Sequence, residues 1–237
     1  MKKIVLLTGT INPKKFNTPF TKLMNKEERL GQYLDTIYKY IVFSNFDVII
    51  FCENSMYKYN YNSLKKLAKS NGKILEILSF TGDKREISKR GKGYGEGEIM
   101  EHALHKSRYL NVPKQTFYKI TGRIFIKNIN NILEYSKKDN YFFSVGNNHC
   151  VTLFFKCSVI FYKNTLLNAY MACDEKNGIF LENVFYDSVK MHKKEVHCFN
   201  DYPYYDGVAG TTGKKYGNKI KWLFRQIQIK LNLLCIK

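Results

Sequence analysis

The sequence predicts an α/β protein with a mostly parallel sheet flanked by helices. Three observations predict it. Short, wholly apolar runs alternate with segments whose apolar residues recur at helical spacing. The first apolar runs end in glycine or polar residues, as buried strands do when they leave a sheet. Hydrophobic residues make up 44% of the 237 residues and prolines number only 4, enough for one large ordered core and against wholesale disorder.

The elements follow in order. KIVLLT (3–8) reads as a buried strand stopped by Gly9. A polar loop with two prolines reaches to about Asn25. From Lys26, the positions Leu30, Tyr33, Leu34, Ile37, Tyr40 and Ile41 mark a helix. VIIFC (48–52) reads as a strand ending in Glu53, Asn54 and Ser55. YNSLKKLAKSNG is a helix stopped by Gly72, and KILEILSF is the next strand. Strand, helix, strand, helix, strand predicts a parallel sheet, and such sheets bind ligands outside their carboxyl ends. Candidate site segments are therefore 8–12, 53–55 and the loop 81–97. Beyond them, 98–109 reads as a helix and TFYKITGR as a strand breaking at Gly122. IFIKNINNILEYS reads as a helix, NYFFSV as a strand, and CVTLFFKCS as a strand leading to a helix through Ala169. GIFLENVFYDSVK enters a helix near Glu182, EVHCF is a strand, and 200–218 is a loop with four glycines. One domain over 1–217 and a basic amphipathic helix over 218–237 are expected.

The formal net charge is +19 and the pI near 9.5. A field of that size suits an anionic partner, such as nucleic acid, acidic lipid or a phosphorylated small molecule, unless it reflects lysine-rich composition alone. The six cysteines have neither Cys-x-x-Cys nor zinc-finger spacing. They read as buried free thiols in a reducing compartment, which places the protein in the cytoplasm. The opening MKKIVLLTGTINP has an apolar run too short for a secretory signal, and no stretch is long enough to span a membrane. His102 and His105 share a helix face with no third ligand nearby, so no zinc site is expected.

Four segments carry candidate chemistry. In RGKGYGEGEIMEHALHKS, alternate glycines would let the backbone close on an anion. Lys89, Arg90 and Lys92 add positive charge, and the helix start that follows adds more; a plain flexible loop is the alternative. In FYKITGR, Lys119, Thr121 and Arg123 alternate along a strand and face one side, either a polar site or a solvated edge. In GIFLENVFYDSV, Glu182 stands at a helix start, as a cap or as a general base. In DGVAGTTGKKYG, a second glycine loop carries Thr211, Thr212 and Lys214 and reads as a lid or a flexible connection. The last helix is basic, with Ile220, Leu223, Phe224, Ile227, Leu231 and Leu234 on one face. That face suits either an anionic membrane surface or packing on the core.

The order of LLTGTINP, VIIFCENS, RGKGYGEGEI, FYKITGR, LEN and GVAGTTGKKYG resembles that of GT-A type glycosyltransferases. It looks most like the small bacterial enzymes encoded with capsule and lipopolysaccharide genes. The resemblance implies a GT-A (Rossmann-like) fold and transfer of a sugar from a nucleotide-sugar donor, a UDP-sugar foremost, to a glycan or lipid-linked acceptor. It places the nucleoside at Thr8, Gly9, Thr10 and Glu53, and the base or diphosphate at Arg90, Lys92, Gly93, Tyr94 and Gly95. It adds Thr121, Thr212 and Lys214 to the donor site. The family's Asp-x-Asp, which holds Mn²⁺ or Mg²⁺, is replaced here by KITGR. The resemblance then implies Lys119 and Arg123 as the cations facing the leaving diphosphate, with weak or no metal dependence. Glu182 occupies the place of the acceptor base, with Asp187 and Asp206 as substitutes. A peripheral position on the inner face of the cell membrane would follow from the last helix. A non-catalytic nucleic-acid-binding protein is the competing class. The charge and aromatics allow it, but no recognisable binding motif supports it.

Overall fold

The computed structural model describes residues 1–17, 21–146, 148–210 and 212–236. Pro19, Thr211 and Lys237 lie outside them. The first three apolar runs form β1 (Ile4–Gly9), β2 (Val48–Glu53) and β3 (Ile74–Ser79), and TFYKIT forms β4 (Thr116–Thr121). These strands are parallel. A short strand, IFI (Ile124–Ile126, β5), follows where a helix was expected. β6 (Phe154–Ser158) closes the sheet antiparallel to β4. The sheet order is β3-β2-β1-β4-β6. β5 pairs instead with β7 (Tyr205–Gly207) in a two-stranded ribbon.

Both faces of the central strands are covered, and for that reason β1 and β2 are apolar without alternation. Val5, Leu7, Ile49 and Phe51 face a core shared with Tyr33, Ile37 and Tyr40 of α1 (Lys26–Phe43) and Ala68 of α2 (Asn62–Ser70). Ile4, Leu6, Val48 and Ile50 face a second core. It is built with Ile99, Met100 and Ala103, then with Phe161, Tyr162, Leu181 and Phe185. The Asn25 side chain caps α1 by accepting from the Glu28 N–H.

The region 81–97, expected to be an open loop, is helical. α3 (Lys84–Arg90) starts at Asp83, whose carboxylate accepts from the Arg85 and Glu86 N–H groups. α4 (Lys92–Lys106) begins directly afterwards, and the two are separated by Gly91 at φ 108°. The other glycines are buried inside α4 and serve close packing. A Cβ on Gly97 would lie 2.1 Å from the Tyr170 ring, and one on Gly93 would lie 3.0 Å from Leu181 Cβ. Gly93 and Gly97 are four residues apart and so share a helix face.

The remaining helices are α5 (Ile129–Tyr135), α6 (Val159–Thr165), α7 (Leu181–Met191) and α8 (Lys219–Lys230). The helix expected to run through Ala169 ends at Thr165, and a separate 3-10 turn covers Ala169–Ala172. NYFFSV and EVHCF form no strand. They make single bridges, Tyr141 to Lys156 and His197, and Ser144 to Cys150. All six cysteines are free thiols, four of them buried. No helix of the described residues is long and apolar enough to cross a membrane.

Substitution Gly97→Ala should destabilise the protein by about 1–3 kcal/mol, the usual range for overpacking, read as a lower denaturant midpoint. An unchanged midpoint would contradict the packing role of these glycines.

Candidate active site

The chain runs from β1 outward to β3 and then returns to place β4 on the other side of β1. That reversal leaves a crevice at the carboxyl ends of β1 and β4, the place where open α/β sheets bind ligands. A cavity of about 300 Å³ occupies it, at the lower end of the roughly 300–1,000 Å³ of small-molecule sites. A smaller annex of about 120 Å³ extends it past Thr8, Gly9 and Tyr33.

Two arginines dominate the electrostatics. Arg29 comes from α1 and is 6% exposed; Arg123 follows β4 and is also 6% exposed. Each guanidinium carbon lies 5.9 Å from the centre of the Tyr33 ring, so one aromatic ring carries two cations. Arg29 donates to the carbonyls of Thr10 (2.6 Å) and Leu23 (3.2 Å) and to the Tyr33 hydroxyl (3.2 Å). Arg123 donates to Gln32 Oε1 (2.9 Å) and the Val208 carbonyl (3.2 Å), and its buried Nε has no partner among the described residues. None of the ion pairs found among the described residues gives either arginine a carboxylate. Burial, then proximity to Arg123, lowers the Arg29 pKa from its ordinary value. Burial alone would push the Tyr33 phenol up; the two guanidinium groups and hydrogen bonds at Thr10 and Arg29 outweigh it and hold the phenol below its ordinary value. The Tyr33 shift reports the positive potential of the two guanidinium groups, whereas the Arg29 shift reports mainly its burial.

Two carboxylates line the same cavity. Glu96 of α4 is paired with Lys119 and accepts from Thr8 Oγ1 (3.2 Å). Glu182, in the first turn of α7, accepts from Thr152 Oγ1 (2.9 Å) and is half-buried. The roof is made by two segments that bond to each other: the Lys22 N–H donates to the Gly210 carbonyl at 3.1 Å. Gly210 is required there, since a Cβ would lie 2.4 Å from Arg123 Nη2.

Of the residues expected from sequence, the cavity and its annex bring together Thr8, Gly9, Thr10, Lys92, Gly95, Thr121, Arg123 and Glu182. Others lie elsewhere. Lys119 is 1% exposed and does not line the cavity. Its ammonium is taken up by Glu96, Thr121 Oγ1 and the Thr152 carbonyl, so it sits beneath the cavity floor and holds Glu96. Glu53 is buried and folds the turn after β2, accepting from the N–H groups of Ser55 (2.8 Å) and Tyr57 (2.9 Å) and from the Ser79 hydroxyl. Arg90 turns outward to Glu86 and the Met171 carbonyl, and Tyr94 packs on Tyr170. Gly93 N–H donates to Glu175 Oε1 at 2.8 Å, so the start of α4 is filled by the chain's own carboxylate and not left open for a ligand. Thr212 and Lys214 are exposed on the roof loop.

Arg29 and Thr152 line the cavity from outside every candidate segment, while Asn54 and Glu96 lie in the expected segments 53–55 and 81–97 without an assigned role there. Arg29 had a readable signal: a cation four residues before Tyr33, on the stripe that α1 buries. The strand end does not fit a resident Mg²⁺ or Mn²⁺, which take hard oxygen ligands. Thr121-Gly122-Arg123 presents a guanidinium instead, and Glu96 and Glu182 are engaged by Lys119 and Thr152. Among the described residues, no group of three or more His, Cys, Asp or Glu side chains is placed to hold a metal ion.

No protein-family model and no curated protein matches the chain. Among solved structures, the chain is similar to a candidate glucose-1-phosphate thymidylyltransferase from Bacillus anthracis in complex with a sucrose. The identity is 11% and the TM-score 0.48, over 97% of this chain and 95% of that one. It is also similar to a nucleoside-diphosphate-sugar pyrophosphorylase from Vibrio cholerae RC9. There the identity is 13% and the TM-score 0.46, over 83% of this chain and 91% of that one.

Tyr33→Phe removes the acceptor of the Thr10 N–H (2.9 Å) and of Arg29. It should lower stability by about 1–3 kcal/mol, the penalty for an unsatisfied buried donor, seen as a lower melting temperature. An unchanged melting temperature would show that the hydroxyl does not organise this site.

Proposed function

We propose that the protein is a glycosyltransferase moving a sugar from a nucleotide-sugar donor, a UDP-sugar foremost, to a glycan or lipid-linked acceptor of surface polysaccharide synthesis. The observation that carries the reading is the pair Arg29 and Arg123, buried without carboxylates at the β1–β4 crevice beside the carboxylate of Glu182. Guanidinium groups match phosphate oxygens in fixed forks. Two of them suit a diphosphate better than a single phosphate or a neutral sugar. The mostly parallel sheet with its antiparallel β6 supports the reading; the end of β4, KITGR, departs from the family's Asp-x-Asp and bears only on the metal-free form of the transfer.

The donor diphosphate lies against Arg29 and Arg123, with Lys92 at the cavity edge. Thr10, Asn54 and Thr121 supply neutral polar groups around it. The sugar points toward Glu182. The acceptor hydroxyl gives its proton to Glu182 as its oxygen bonds the anomeric carbon, and the carbon–oxygen bond to the diphosphate breaks. The charge that develops on the leaving nucleoside diphosphate is met by guanidinium groups already in place, which is where preorganised cations lower a barrier most. Thr152 orients the Glu182 carboxylate by its hydrogen bond. Lys119 acts through Glu96, as a positioning residue.

Mass spectrometry of nucleotide-sugar turnover tests this. Arg123→Ala should lower turnover on the order of 10²-fold. Glu182→Gln should lower it by about 10²–10⁴-fold, the usual contribution of a general base. Turnover should persist in EDTA. Equal turnover by Arg123→Ala would sink the leaving-group assignment, and turnover seen only with Mn²⁺ would overturn the metal-free scheme.

A further inference from the structure

Of the apolar stripe that the sequence places on the last helix, only Leu234, beyond the end of α8, faces the core. Trp222 and Ile229 also face inward: the Trp222 Nε1–H donates to the Tyr202 carbonyl at 2.9 Å, its ring stacks on Tyr204, and Ile229 is 2% exposed. The opposite stripe faces outward. Ile220 is 80% exposed and Phe224 59%, with Leu223, Ile227 and Leu231 also exposed. At positions 220, 223, 224, 227 and 231 they make one continuous line along roughly three turns. Exposed Lys219, Lys221 and Lys230 border it. From Gly207 to the last residue the sequence has seven Lys or Arg and no Asp or Glu.

We infer that this face of α8 docks on the surface of an anionic lipid bilayer. A helix with an aliphatic and aromatic stripe bordered by lysines lies in the plane of such a surface, its stripe among the acyl chains and its ammonium groups at the headgroups. Charge selects the bilayer over a second copy of the chain, because two molecules of net charge +19 would bring like-charged lysine borders together. The helix is held to the body through Trp222 and by the Ser144 N–H donating to the Leu234 carbonyl at 2.8 Å, so docking needs no unfolding. The roof loop over the cavity runs directly into α8, and Tyr216 lines both the cavity and the groove beside Trp222. Docking would therefore set the cavity mouth close to the lipid surface. The inference does not rest on the transferase reading.

Vesicle flotation of the full chain tests it without nucleotide. The protein should float with phosphatidylglycerol/phosphatidylcholine vesicles at low salt, stay behind with pure phosphatidylcholine, and release as salt rises. The double substitution Phe224→Glu, Ile227→Glu should abolish flotation. Lys219→Glu should weaken partitioning by at least roughly fivefold, the effect of losing one basic residue at an anionic surface. All three residues are exposed, so the circular dichroism and the thermal response to nucleotide should stay those of the parent. No flotation at low salt, equal flotation with neutral vesicles, or flotation surviving the double substitution would overturn it. So would a dimer in solution that the same double substitution dissociates.

Discussion

Two guanidinium groups held against one tyrosine ring are the constraint around which the site is arranged. Arginine does not lose its proton in a protein, so Arg29 and Arg123 stay charged despite burial, and their repulsion and desolvation must be offset. Tyr33 offsets part, through its ring and its hydroxyl. Backbone carbonyls of Thr10, Leu23 and Val208 offset more. Full charges are answered only partly by dipoles, and a bound polyanion would supply the rest. Folding therefore leaves a potential that a diphosphate would satisfy, which is electrostatic preorganisation in its plainest form.

The same balance explains why α4 is rich in glycine. Glu96 reaches both Thr8 and Lys119 only because α4 lies close to the ends of β1 and β4. That approach is set by Gly95 against Asn54 and Ile87, and by Gly93 and Gly97 against Leu181 and Tyr170. Buried Lys119 is neutralised from the helix side, which leaves Arg123, four residues further along the chain, as the cation that faces the cavity. Packing and electrostatics thus act through the same few residues.

The parallel core was legible because β1, β2 and β3 are short, largely apolar runs separated by helix-period segments, with Gly9 and Glu53 at the ends of the first two. The antiparallel periphery was not. NYFFSV and EVHCF have strand composition, but Tyr141 bridges only at single points to Lys156 and His197, and non-local pairing of that kind leaves no mark on local pattern. The glycine run misled for a definite reason. Alternate glycines suggest a backbone loop, whereas the spacing of four between Gly93 and Gly97 is what a tightly packed helix needs. Arg123 and Glu182 were legible as charges at element ends. Lys119 was assigned to the right strand face but one layer too shallow, since a strand pattern gives direction and not depth. Arg29 escaped because a lone cation among apolar helix positions looks like a boundary residue until β1 is placed beside it.

The claim that the two arginines form a diphosphate seat is tested most directly by calorimetric binding in EDTA of a nucleoside, its monophosphate and its diphosphate. The account predicts a steep rise in affinity with each phosphate. It predicts that Arg29→Lys and Arg123→Lys, which keep the charge and lose the fork, each flatten that rise while nucleoside binding stays the same. Equal affinity for the three ligands, or a diphosphate affinity indifferent to both substitutions, would contradict it.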